Sequence, residues 1–358
     1  MATKNNDFFD LNRLLRDNIR QLIPYSSARD EFAGNAQVYL DANENAFGSP
    51  LPEAYNRYPD PLQQHLKEKI SEIKSVPASR IFLGNGSDEA IDLLYRAFCQ
   101  PGIDNVVTLP PTYGMYEVSA NINDVEVRKA PLLSDFQPDL DTIAREVDET
   151  TKMIFICSPN NPTGNSIDRS AIETILSNFS GLVVIDEAYI NYSRYRSFIQ
   201  ELDEYPNLVI LQTLSKAWGL AGLRIGMAFA SEAIIQVLNR VKPPYNLNQA
   251  SQQLAITALE SLEQVNQWTR QATEEREKLA EALASLPRVE KIYPSEANFL
   301  LVKTRDTEAV YRHLIATGIV VRDRSRVLLC EGCLRITIGT PSENTTLLEA
   351  LKNMNPPI

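Results

Sequence analysis

Residues 181–230 read GLVVIDEAYINYSRYRSFIQELDEYPNLVILQTLSKAWGLAGLRIGMAFA and contain three short apolar runs, LVVID, LVILQT and LRIGMAFA. Runs of that length, rich in Val, Ile and Leu and without polar alternation, are the mark of strands buried on both faces. Two similar runs lie upstream, NVVTL from Asn105 and MIFICS from Met153. Helical periodicity fills several of the gaps, and the alternation predicts an α/β fold with a mostly parallel sheet flanked by helices. Further upstream come a helix over PLQQHLKEKISEI, the glycine turn of LGNGSDE and a second helix over EAIDLLYRAFC. The pattern changes at VKPPYNLNQ, residues 241–249, where two prolines interrupt it. Beyond it the chain reads as one long helix over 249–286, a strand (NFLLVK), a helix (TEAVYRHLIATG), two short strands around VVRDR and CLRITIG, and a last helix. The expected division is an N-terminal helix and extended arm over 1–40, a large domain over 41–245 and a smaller α+β domain over 246–358.

The chain has 358 residues, past the size at which one hydrophobic core usually stops growing, which also argues for two domains. With 44% hydrophobic and 23% charged residues it has the composition of an ordinary globular protein, not of a disordered or fibrous one. Its 35 basic and 46 acidic residues leave a net charge of −11. That field opposes non-specific binding to nucleic acid or to anionic membranes. Two histidines, His65 and His313, are too few for a polyhistidine metal site. Any general base is therefore expected to be another residue type. The four cysteines fit a reducing, cytoplasmic setting better than a disulfide scaffold. Cys330-Glu-Gly-Cys333 has the spacing of half a zinc site but no second pair accompanies it, so it reads as a strand-edge turn and no metal is expected. The start, MATKNNDFFDLNRLLRDNIR, breaks its apolar residues with charges and reads as neither a leader nor a membrane span.

Four segments carry candidate chemistry. In Thr213-Leu-Ser-Lys-Ala-Trp-Gly, Lys216 is flanked by small and apolar residues, and desolvation lowers a lysine pKa towards the range where the free amine forms a Schiff base. Arg224 could supply a fixed cation, and Thr213 and Ser215 hydroxyl donors, for a phosphate near an aldehyde. A surface lysine beside a salt-bridged arginine explains the same residues. Asp186 ends an apolar strand, where open α/β sheets place their ligands. It would keep a pyridine nitrogen protonated. The rival reading, an acidic group holding magnesium, needs a glycine-rich loop ending in Gly-Lys-Ser/Thr, and the chain has none. In Ser158-Pro-Asn-Asn-Pro-Thr-Gly, Asn161 stands before a proline, which suits an amide aimed at a ligand, though turn formation alone also accounts for the segment. In Gly84-Asn-Gly-Ser-Asp-Glu, Ser87 and Asp88 open a helix whose N–H groups attract anions, or they are ordinary caps.

These segments, with Pro24-Tyr-Ser-Ser-Ala-Arg, Leu40-Asp-Ala-Asn-Glu-Asn, Arg57-Tyr-Pro-Asp-Pro, Pro111-Thr-Tyr, Asp186-Glu-Ala-Tyr and Cys333-Leu-Arg-Ile-Thr-Ile-Gly-Thr-Pro, span nearly the whole chain. Together they resemble the fold type I pyridoxal-phosphate enzymes of the aspartate aminotransferase superfamily, and within it the histidinol-phosphate aminotransferase family. One departure is Ala46, where many members have proline; it touches loop rigidity more than chemistry. The resemblance implies pyridoxal 5'-phosphate on Lys216, with Asp186 on the pyridine nitrogen and Asn161 and Tyr189 on the phenolic oxygen. Tyr113 would lie over the ring. Ser87, Asp88, Ser215, Thr213 and Arg224 would hold the phosphate. Tyr58 would reach the cofactor phosphate of a neighbouring subunit, so a homodimer is implied.

For substrate, the resemblance points to Arg335 for a carboxylate or phosphate, with Arg322 and Tyr25 as phosphate partners and Asn43 nearby. The run Arg322-Asp-Arg-Ser-Arg also reads as a solvated charged loop. The implied reaction is transamination between L-histidinol phosphate and 2-oxoglutarate. An aromatic amino-acid transaminase and a threonine-phosphate decarboxylase would share the same cradle. A cofactor-sensing regulator would carry an appended DNA-binding domain, for which this N-terminus has neither room nor charge.

Overall fold

A computed structural model of the chain describes residues 9–25 and 38–354. Of the expected arm PYSSARDEF only Pro24 and Tyr25 fall within the described residues. Seven strands build the larger sheet: β1 (Ile81–Asn85), β2 (Asn105–Thr108), β3 (Glu126–Lys129), β4 (Thr151–Cys157), β5 (Leu182–Asp186), β6 (Leu208–Thr213) and β7 (Ile225–Phe229), in the order β1-β7-β6-β5-β4-β2-β3. The five apolar runs of the sequence are β2 and β4 to β7. From β3 to β6 neighbouring strands are parallel, whereas β7 is antiparallel to both β1 and β6. Apolar composition carries no direction. The link from Thr213 to Ile225 holds no crossover helix, only a short turn at Ala221–Leu223, and a link that short returns the chain antiparallel.

Successive residues of the central strands enter opposite cores, as the two-residue period of a strand requires. Ile154, Ile156, Val183, Ile185 and Ile210 join one buried cluster, and Met153, Phe155, Leu182, Val184, Val209 and Leu211 join the other. Leu15 and Ile19, from two short N-terminal turns, are buried in the second cluster beside the helix Ser87–Phe98, where Arg16 Nη1 donates to the Arg96 carbonyl at 2.8 Å.

A second sheet is antiparallel throughout, in the order β10 (Arg322–Asp323), β11 (Cys333–Thr337), β9 (Phe299–Thr304), β8 (Val289–Ile292). Leu300, Val302, Leu334 and Ile336 face their own cluster. The alternate residues Phe299, Leu301 and Cys333 pack into the core that also contains Tyr189 and Trp218. The expected helix over 249–286 is two helices, Gln249–Leu259 and Leu262–Ala284. Strands β1, β3 and β8 were not legible: β1 carries glycine, and β3 and β8 are edge strands with no buried residue.

One close approach governs the site. A Cβ on Gly226 of β7 would stand 2.0 Å from the Ser87 backbone nitrogen, so only glycine lets the start of the helix Ser87–Phe98 lie against this strand. Gly226→Ala is expected to cost about 3 kcal/mol or more through backbone displacement, read as a lower urea midpoint. An unchanged midpoint would mean that the helix can retreat at no cost.

Candidate active site

The C-terminal ends of β4, β5 and β6 open onto a cavity of about 590 Å³. It is lined by Ser87, Asp88, Tyr113, Asn161, Asp186, Tyr189, Thr213, Ser215, Lys216, Arg224, Arg322 and Arg335 among others. The structure therefore brings together all the expected cofactor-binding residues except Tyr58.

Asp186 is the last residue of β5 and is only 3% exposed. Burial pushes its carboxyl up to about 6, against the pull of its hydrogen bonds and of Lys216. Those bonds come from the Tyr116 hydroxyl at 2.8 Å and the Ala188 backbone N–H at 3.1 Å. Tyr116 was not singled out in the sequence, because a fully buried aromatic three residues after Tyr113 reads as core. Tyr113 lies edge-on to Tyr116 with ring centroids 5.6 Å apart and donates its hydroxyl to Asp88 at 3.1 Å.

Lys216 follows β6, and its Nζ stands 5.6 Å from the centre of the Tyr189 ring. Its side chain reaches the cavity, yet desolvation by the cavity walls, with Arg335 adding repulsion, holds its pKa below the ordinary lysine value. Tyr189 is buried edge-on against Phe299 of β9 at 5.2 Å. Thr213 donates its hydroxyl to the Ile225 carbonyl at 3.2 Å and accepts the Ser215 N–H at 3.1 Å. It braces the turn before Lys216, and its proton is committed to the backbone. Ser215 lines the same wall.

The helix Ser87–Phe98 opens at Gly86 (φ +75°) without a side-chain cap, so Ser87 and Asp88 are not caps; they belong to a first turn whose N–H groups lack intrahelical acceptors. Arg224, itself left-handed at φ +56°, accepts the Gly86 N–H on its carbonyl at 2.8 Å. A Cβ on Gly86 would meet its Nη2 at 2.6 Å. Helix start and guanidinium thus converge, a site for a small anion. Asn161 accepts a hydrogen bond from Arg335 Nη1 on its Oδ1. A guanidinium only donates, so the Asn161 Nδ2 is left as a donor. Arg335 of β11 also sits over the Phe299 ring at 5.2 Å. A buried carboxylate, a lysine of lowered pKa, an anion cradle and an amide donor match the four polar faces of pyridoxal phosphate.

Tyr58, Asn43 and Tyr25 lie elsewhere. They line a different cavity with Tyr245, and Tyr58 stacks on Tyr245 at 4.5 Å. Glu44, from the Asn-Glu-Asn segment, receives Arg57 Nη1 at 2.7 Å and the Tyr58 N–H at 2.6 Å, which explains why these two distant segments occur together. Trp218 is packed in the core, His65 is exposed, and His313 contacts the Ala350 carbonyl at 2.9 Å. Cys330 and Cys333 are buried free thiols, and no metal-binding group occurs among the described residues. No helix is long and apolar enough to cross a membrane among the described residues.

The larger sheet with its antiparallel β7, the lysine after β6 and the smaller antiparallel sheet are the fold type I architecture of pyridoxal-phosphate-dependent transferases. The chain belongs to the aminotransferase class I and II family, whose model matches residues 38–351. It is 56% identical over 345 residues to the histidinol-phosphate aminotransferase of Parabacteroides distasonis, covering 96% of this chain and 99% of that one. Among solved structures, the histidinol-phosphate aminotransferase of Clostridium acetobutylicum superposes with a TM-score of 0.77 at 25% identity, covering 83% of this chain and 90% of the other. That of Sinorhizobium meliloti in complex with pyridoxal-5'-phosphate gives the same TM-score at 23% identity, covering 87% and 89%, and speaks for the fold alone.

The buried carboxylate has a cost. Its pKa rises from 3.8 to about 6 on folding, so the folded state holds its proton longer and stability falls as pH rises from about 4 to 6, on the order of 3 kcal/mol in all. Cofactor-free Asp186→Asn is expected to melt above the wild type at pH 7.5, with the gap narrowing as pH falls through 6. Tyr116→Phe removes a bond that favours the carboxylate and should start that narrowing at higher pH. A gap independent of pH would show that Asp186 is not held charged at a cost.

Proposed function

We propose that the protein is a pyridoxal 5'-phosphate-dependent transaminase that moves the amino group of L-histidinol phosphate to 2-oxoglutarate, a reaction of histidine biosynthesis. The observation that carries the reading is one cavity holding a lysine of lowered pKa, a buried carboxylate and Arg322 and Arg335, neither of them in an ion pair with a carboxylate among the described residues. The high identity to a protein named for this activity supports the substrate. When bound, pyridoxal phosphate supplies an aldehyde that condenses with amines and a pyridinium ring that accepts the electron pair left at Cα.

The chain's own residues then have separate tasks. Asp186, buried and fixed by the Tyr116 bond, would hold the proton on the pyridine nitrogen. The Asn161 Nδ2 and the Tyr189 hydroxyl would donate to the phenolic oxygen, and Tyr113 would lie over the ring. Arg224, Ser215 and the first turn at Ser87 and Asp88 would hold the phosphate. Lys216 Nζ would hold the cofactor's aldehyde and, as the free amine its lowered pKa favours, would be the group that carries a proton between substrate Cα and C4′. Arg335, fixed by Asn161 and Phe299, orients the substrate's anionic group, with Arg322 beside it.

We also propose a homodimer. Tyr58 lines a different cavity from Lys216 in its own chain, alongside Tyr25 and Asn43, which supports a role at the cofactor phosphate of a second copy, and the same pairing would carry Tyr25 and Asn43 to that copy's substrate. The division into domains over 41–245 and 246–358, and a cytoplasmic setting consistent with the buried free thiols, belong to the same reading.

Separate half-reactions of the cofactor-loaded protein with L-histidinol phosphate, phenylalanine and threonine phosphate test the substrate. Fast loss of the pyridoxal spectrum with histidinol phosphate and no CO2 release is expected; conversion by phenylalanine alone, or CO2 from threonine phosphate, would replace this reading with one of the two alternatives. Lys216→Ala should abolish the visible band of lysine-bound cofactor. Subunits carrying Tyr58→Phe mixed with subunits carrying Lys216→Ala should regain activity, and no recovery would argue against shared sites.

A further inference from the structure

Three arginines share one face of the smaller sheet, although the sequence spreads them over 14 positions. Arg322 of β10 is the register partner of Arg335 of β11, so their side chains stand on the same face. Arg324 lies two residues beyond Arg322, and its N–H donates to the Cys333 carbonyl at 2.9 Å, which continues the ladder and returns its side chain to that face. All three line the cavity that holds Lys216. The intervening Asp323 accepts the Ser325 N–H at 2.8 Å and forms no ion pair with any of them. Among the described residues none of the three arginines is paired with a carboxylate.

Arg324 sits deeper than Arg322: it is half-buried where Arg322 is exposed. Its Nε is wholly buried without a hydrogen-bond partner, and so is that of Arg335. Burial, with repulsion from Arg322, draws its pKa below the usual guanidinium value, and the same pressure acts on Arg335. Uncompensated guanidinium groups in a half-buried cluster are unfavourable by themselves, and an arriving dianion relieves both the repulsion and the unmet donor. Arg335 is tied to Asn161, and Arg324 and Arg322 add two further guanidinium groups on the same face for the anion that Arg335 orients.

We propose that Arg324 is a specificity-determining residue, which with Arg322 and Arg335 clamps the dianionic group of the amino substrate, a phosphate monoester. The inference rests on the transaminase reading above and adds a residue to it. It also accounts for the run Arg322-Asp-Arg: alternate arginines face the cavity while the aspartate between them faces away.

The test uses cofactor-loaded wild type, Arg324→Gln and Arg324→Lys in half-reactions with L-histidinol phosphate and with unphosphorylated L-histidinol, together with inhibition by inorganic phosphate. In Arg324→Gln the ratio of kcat/KM for the phosphorylated over the unphosphorylated substrate is expected to fall about 100-fold, chiefly through KM. Inhibition by inorganic phosphate should weaken in parallel, and Arg324→Lys should recover part of both. An equal loss on the two substrates, or undiminished inhibition by phosphate, overturns the proposal in favour of a structural role. If the wild type does not turn over histidinol phosphate, the transaminase assignment falls, and the Arg324-dependent binding of inorganic phosphate still decides this inference.

Discussion

A carboxylate at the end of a buried parallel strand is the constraint around which this molecule is arranged. Asp186 emerges between two apolar cores, where water cannot solvate it, and the structure offsets only part of that cost. Tyr116 and the Ala188 N–H bond it directly, and Lys216 contributes a favourable charge from across the cavity. What remains is an unmet demand for a cationic partner, which the protonated pyridine of the proposed reading would supply. The lysine carries the converse strain, since burial and Arg335 favour its neutral amine. The site's electrostatics are thus incomplete in the protein alone and completed by a ligand of opposite pattern.

The glycine contacts set the other end of the cavity. Gly226 allows the helix Ser87–Phe98 to start against β7, and Gly86 leaves room for the Arg224 guanidinium. Because β6 returns antiparallel as β7 through a short link, Lys216 and Arg224 sit on one connection, eight residues apart in sequence and on two sides of the cofactor cradle. The smaller sheet closes the third side. The Arg335–Asn161 bond and the Phe299 contacts with Tyr189 and Arg335 join it to the strand ends of the larger sheet.

Much of this was legible in the sequence. The apolar runs marked five central strands, and the residues that the family resemblance points to for the cofactor, Tyr58 excepted, line one cavity. Other features left no local trace. Tyr116 reads as an ordinary core aromatic until its hydroxyl is seen on Asp186. Glu44 gains meaning only when Arg57 and Tyr58 fold onto it. The charged run at Arg322 reads as a solvated loop until pairing with β11 turns alternate residues inward. Thr213, read as a possible phosphate donor, has its proton committed to the Ile225 carbonyl.

By itself, then, the sequence determined the five central strands and the α/β class, because strand and helix periods and turn residues act over a few neighbouring positions. Tertiary structure alone decided the direction of β7, the bond on Asp186, the separation of Tyr58, Tyr25 and Asn43 from their own chain's cavity, and the gathering of Arg322, Arg324 and Arg335 on one face. Those depend on strand register and on which apolar faces pack together, and a shift of one residue in register would send every one of those arginines to the opposite side.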